Sequence, residues 1–149
     1  MLLDKMKAKG KVGIVLKDKF GNVKETREID NLVVDTGLDY IASRMGGTSA
    51  SVMSHMALGS GTTAAAANDT DLQSILGSRE ALDSTTVTDN TIQYVASFEA
   101  GDGTGAVTEA GIFNASTAGT MLCRTVFSVV NKAADDTMSV TWTITISAS

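Results

Sequence analysis

His55 is the single histidine of the 149-residue chain, so any mechanism built on imidazole has to run through it. It lies in Ser54-His55-Met56, within a segment that reads as a strand, and no nucleophile motif flanks it. The single cysteine, Cys123, sits in the apolar run Met121-Leu122-Cys123-Arg124 with no second thiol or histidine at zinc spacing, which is the setting of a small core residue. The carboxylates Asp69, Asp71, Asp102, Asp135 and Asp136 do not follow the spacing of a calcium loop and read as turn and cap residues. Gly101-Asp102-Gly103-Thr104-Gly105 lacks the lysine and the strand-to-helix context of a phosphate loop, so it is expected to be a hairpin tip. Trp142, Tyr94 and Phe98 have faces suited to stacking on a sugar, but with so few aromatics in the chain they are expected in the core. These residues point away from catalysis, and the expectation is a non-enzyme with no metal and no cofactor. A glycan depolymerase would need two carboxylates brought together, and Asp102 with Glu109 is the pair to test.

The elements that would position these residues are mostly strands. From Asp136 to Ser147 the sequence alternates strictly: Met138, Val140, Trp142, Ile144 and Ile146 are apolar, and the residues between them are Ser or Thr. That period of two is the mark of a strand with one buried face. Similar patterns occur at 11–17, 23–29, 53–59, 85–88, 91–99, 107–113 and 120–130, the last with a bend expected near Ser128. Turn residues separate them at the spacing of a sandwich or jelly roll. Asp18-Lys19-Phe20-Gly21-Asn22 reads as the turn of a first hairpin. Thr36-Gly37-Leu38-Asp39 resembles a capping box, opening a helix over 36–45 whose Leu38, Ile41, Ala42 and Met45 share a face. Gly46 and Gly47 end it. One or two further helical turns are expected over 69–76, with Leu72, Ile75 and Leu76 inward. The expected fold is therefore all-β: a single-domain antiparallel β-sandwich, jelly-roll-like, with one short helix and an extended N-terminal arm. Its division is a basic arm at 1–10 and a β-body at 11–149.

Charge is distributed unevenly. Residues 1–27 carry eight basic side chains against three acidic ones, so a net charge of −5 leaves the remainder at −10. A basic arm on an acidic body suits contact with an acidic protein surface or a neighbouring subunit, the plain alternative being a solvated terminus. No aromatic precedes Phe20 for stacking on bases, so nucleic acid is not the expected partner. The arm lysines Lys5, Lys7, Lys9 and Lys11 are the expected contacts. No apolar run reaches the roughly 18 residues of a membrane span. The opening residues lack the apolar stretch of a signal peptide, and one cysteine gives no disulfide framework, so cytoplasmic assembly is expected.

Three stretches carry a family resemblance. They are Asn31-Leu32-Val33-Val34-Asp35-Thr36-Gly37-Leu38-Asp39-Tyr40-Ile41-Ala42; Met56-Ala57-Leu58-Gly59-Ser60-Gly61-Thr62-Thr63 leading to Asp69-Thr70-Asp71-Leu72; and Val107-Thr108-Glu109-Ala110-Gly111-Ile112-Phe113-Asn114-Ala115 through Gly119 to Phe127. With Val140-Thr141-Trp142-Thr143-Ile144 they resemble small virion structural proteins of tailed bacteriophages. The resemblance implies a capsid decoration (cement) protein that binds the major capsid protein on the outer shell and bridges capsomers. It further implies a homotrimer at three-fold or quasi-three-fold sites. The alternative is a tail component, a short fibre, adaptor or baseplate module, with loops 46–52, 60–70 and 101–105 as a receptor or carbohydrate face.

Overall fold

The structure, a computed structural model, describes residues 6–48 and 50–148. Nine strands and one helix follow in chain order: β1 (Met6–Lys17), β2 (Val23–Val33), α1 (Asp35–Met45), β3 (His55–Gly59), β4 (Glu80–Ala81), β5 (Ser84–Thr88), β6 (Thr91–Phe98), β7 (Gly105–Phe113), β8 (Met121–Lys132) and β9 (Thr137–Ala148). All pair antiparallel in one curled sheet of order β4-β3-β7-β8-β2-β1-β9-β6-β5. The fold is thus all-β, as the alternation requires.

β9 is the spine of one half. It pairs with β1 on one side and β6 on the other, and the inward residues of the three strands fall into rows: Val12–Trp142–Tyr94, Ile14–Val140–Ala96 and Leu16–Met138–Phe98. Trp142 and Phe98 are fully buried. The inner residues of β3, β7 and β8 join the same core cluster, so the curl brings two inner faces onto one core.

β2 links the halves. It follows β1 along most of its length, and among the described residues its ladder with β8 consists of Leu32 and Val33. β7 and β8 fall out of step near Ser128, where Val107 faces Val130 but Glu109 faces Val126. This irregularity is the expected bend. Arg27 on β2 donates from Nη1 to the Ser128 carbonyl and from Nη2 to that of Val129, so acceptors released from the ladder are satisfied from the neighbouring strand.

Three local expectations need correction. β1 begins at Met6, and Met6–Gly10 pairs residue for residue with Ala148–Ile144. The described part of the expected arm is therefore strand; residues 1–5 lie outside the described residues. Thr36 is not the helix cap. Val34 holds that position without a side-chain cap, and the Thr36 hydroxyl donates instead to the Met121 carbonyl. Residues 69–76 are not helical. The amides of Gln73 and Ser74 donate to the Glu109 carboxylate and that of Leu76 to the Leu58 carbonyl, so these three do not bond four residues back.

Candidate interaction surfaces

The expected contact lysines form a row. Lys7, Lys9 and Lys11 alternate with inward Ala8 and Val12 and stand on the outer face of β1, opposite Ser147, Thr145 and Thr143 of β9. Lys7 and Lys9 are exposed. Lys11 is tied to Glu28 at 2.8 Å, and that hydrogen bond with its attendant charge raises the Lys11 pKa. Lys5 lies outside the described residues. Three of the four are thus displayed at fixed two-residue spacing on a paired strand.

The buried polar chemistry lies elsewhere, in a cluster that joins Glu109 and Asp69 through Arg124. Glu109 of β7 and Arg124 of β8 are almost wholly buried. Glu109 Oε2 accepts from the amides of Gly61 (2.7 Å) and Ser74 (2.8 Å), and Oε1 from the Gln73 amide (2.9 Å) and Arg124 Nε (3.1 Å). Arg124 also donates to Asp69 Oδ2 at 2.8 Å and to the Thr63 carbonyl at 3.0 Å. Thr108 adds a hydroxyl bond to the Gly61 carbonyl. Every partner of Glu109 except Arg124 is a loop amide, so the pair holds the long 60–76 segment flat across the outer side of β7. That explains why β7 is buried on both faces although antiparallel strands often show one to water.

The remaining sequence candidates are dispersed. His55 Nδ1 lies 2.8 Å from the hydroxyl of its own neighbour Ser54. Cys123 is buried, and burial pushes its thiol pKa well up. Asp69 accepts from the Ala66 amide as well as from Arg124, and Asp71 from the Leu72 amide. Asp136 accepts from the Ala133 amide and from Lys24 Nζ at 2.7 Å; the hydrogen bond from Lys24 heads the causes that lower its pKa. Lys132, also buried, donates to the carbonyls of Glu99 and Asp136, and burial lowers its pKa. Asp102 stands on the hairpin tip, where its amide bonds to the Glu99 carbonyl, and among the described residues its carboxylate shares no hydrogen bond with the cluster of Glu109. Among the described residues no group of three or more His, Cys, Asp or Glu side chains is placed to hold a metal ion. No helix among them is long and apolar enough to cross a membrane. Trp142, Phe98 and Tyr94 lie in the core, and burial raises the Tyr94 phenol to about 12.

A third feature is apolar. Helix α1 leans on the open end of the sheet but covers it only in part: Leu38 and Met45 remain exposed. Beside it a groove of about 560 Å³ runs between α1, the 52–53 segment and β5, floored by Ile92, Tyr94 and Ile144. Comparison of the chain with family models, with curated proteins and with solved structures finds no match.

Proposed function

We propose that this chain is a structural component of a tailed-phage virion, a decoration protein that binds the outer surface of the capsid and stabilises the shell by bridging capsomers. The observation that carries the reading is the row Lys7, Lys9 and Lys11 on the outer face of β1, set on a body whose net charge is acidic. Strand pairing already orders the backbone that carries these cations, so on meeting an acidic surface only their side chains have freedom to lose. Its long-range attraction guides docking, and salt screens that attraction over roughly 8–10 Å. The buried charges suit a scaffold, since Glu109 and Arg124 are spent on holding a loop. The finer fold reading, a jelly-roll-like sandwich, and a homotrimer on the shell belong to this proposal and rest on the resemblance. So do the major capsid protein as partner and the virion surface as location, with no nucleic acid or membrane contact. A standard interface of about 1,600 Å² suffices for stable attachment, and joining several copies multiplies it through effective concentration.

The test is reconstitution. Particles assembled without the chain are incubated with the purified protein, and bound copies are counted over a salt series. Hundreds of copies per particle and binding that weakens with salt are expected. A variant with Lys5, Lys7, Lys9 and Lys11 all changed to Gln should bind weakly while keeping its fold. Substitution is preferred to truncation, because removing residues 1–10 would also unpair Ile144–Ala148. A copy number of a few to a few dozen would assign the chain to the tail, and no binding at all would overturn the virion reading.

A further inference from the structure

The open end of the sheet is unlike the rest of the surface. At Leu82 and Asp83 the seam between the halves is closed: the Leu82 amide donates to the Ser54 carbonyl and the Asp83 amide to that of Val95. Beyond that point β5 runs on with β6, while the chain before His55 leads away through Met53 and Val52, and the groove opens between them. β5 is the last strand of the sheet, so one row of its backbone N–H and C=O groups has no ladder partner among the described residues. Edge strands are commonly blunted by lysine, proline or a bulge. β5 has none of these: Ser84-Thr85-Thr86-Val87-Thr88 is uncharged, pairs with β6 without a register shift and is exposed throughout. Thr85 and Val87 line the groove, with Val87 68% exposed and Met45 across from it 75% exposed. Arg44 is the single charged side chain in the lining. Its Nη1 donates to the Ala50 and Thr48 carbonyls, and its Nε and Nη2 have no partner among the described residues.

We propose that β5 and this groove form a strand-acceptor site for an extended segment of another polypeptide. The segment adds to the edge of β5 through main-chain hydrogen bonds. Its alternate apolar side chains enter the groove, and a carboxylate at its end meets Arg44. This mode of recognition takes affinity from the backbone and selectivity from the pockets between alternate residues. Charge selects the class of partner. Arg44 calls for an anion beside the apolar side chains. A second copy of β5 fits poorly, because antiparallel self-pairing about Thr86 would set Asp83 of each copy against Asp89 of the other, and like charges facing across strands destabilise pairing. The site stands apart from the lysine row, so this inference and the capsid reading can fail independently.

The probes are two peptides, acetyl-Thr-Val-Thr-Val-Thr-Val-Asp-amide and the same peptide ending in Lys, offered to the full chain while amide hydrogen exchange is followed. The Asp peptide should slow exchange of the β5 amides and bind about tenfold tighter than the Lys peptide. Arg44→Glu should reverse that order, and Val87→Lys should remove the protection. Both side chains are exposed, and circular dichroism checks that each variant folds. Unchanged β5 exchange with either peptide would overturn the proposal, as would equal affinity for the two peptides in the parent and in Arg44→Glu. Protection that rises with protein concentration alone, with a doubled mass by light scattering, would also overturn it and make a second copy the occupant.

Discussion

Arg124 Nε donates to Glu109 Oε1 at 3.1 Å in a place where neither side chain meets solvent. The two strands that carry them are neighbours in the sheet, and the pair is completed by three loop amides on the carboxylate. Such a pair is costly to break, because the surviving charge stays buried. Glu109→Gln is expected to lower the unfolding free energy by about 3–5 kcal/mol in urea titration. Exchange of the Gly61, Gln73 and Ser74 amides should quicken first, since the Gln side chain keeps only one of the two oxygens that accept from them. The double change Glu109→Leu with Arg124→Met should cost less than the two single changes added together. Strict additivity would mean that the two side chains do not act as a unit.

Gly37 is the only buried residue of α1, and the reason is close approach. A Cβ built there would stand 2.2 Å from the Leu122 carbonyl oxygen of β8, a backbone atom that cannot turn aside. Gly37→Ala should therefore push the helix off β8, breaking the Val34 amide and Thr36 hydroxyl bonds to Leu122 and Met121. A loss of about 1–3 kcal/mol is expected from overpacking. Ala42→Gly, on the exposed side of the same helix, should cost about 1 kcal/mol through helix propensity alone. A smaller fall in the thermal midpoint for Gly37→Ala than for Ala42→Gly would contradict this account of Gly37.

How much of this was legible in the residues differs from element to element. β9 was plain, because a half-buried strand must alternate and Met138–Ile146 does so without a break. The helix was legible from Leu38, Ile41 and Met45, but its cap was not: the Thr36 hydroxyl is claimed by a strand distant in sequence. The spacing of Leu72, Ile75 and Leu76 mimics a helix, but the amides of Gln73 and Ser74 go to Glu109 and that of Leu76 to the Leu58 carbonyl, partners distant in sequence. The signal for that cluster was present in two charged residues of opposite sign, each inside an otherwise apolar strand pattern, at Val107–Phe113 and Met121–Val126. The lysines of Met6–Gly10 suggest an arm, although Met6, Ala8, Lys7 and Lys9 already continue the alternation of β1. The groove beside α1 had no signature at all, since its walls come from four strands, a helix and a loop.

Asp136 makes stability depend on acid. The Lys24 hydrogen bond, then the Ala133 amide, hold its folded pKa below the ordinary 3.8, partly opposed by desolvation. A carboxylate whose folded pKa is depressed stabilises the native state fully above the unfolded pKa, and that contribution disappears as pH falls through the folded value. The parent should therefore lose stability on going below about pH 3.8. Lys24→Met removes the leading cause, so its stability curve should fall less steeply over the same acid interval. Equal slopes in acid denaturation would show that Lys24 is not the group responsible.

Cys123 offers a probe of global opening. Its thiol is fully buried in the core beside β2, and burial raises its pKa far above that of an exposed cysteine. The reactive species is the thiolate, so native protein at neutral pH presents neither the right protonation state nor access. Labelling by a disulfide reagent should then proceed only through unfolding. Its rate should rise with urea in step with the unfolding transition and be accelerated in Glu109→Gln by the factor by which the lost stability raises the unfolded population. Because β8 carries both Cys123 and Arg124, a local opening of that strand would give labelling faster than global unfolding allows. Fast labelling of the parent in the absence of urea would therefore show that β8 opens on its own, and that the buried ion pair does not secure it.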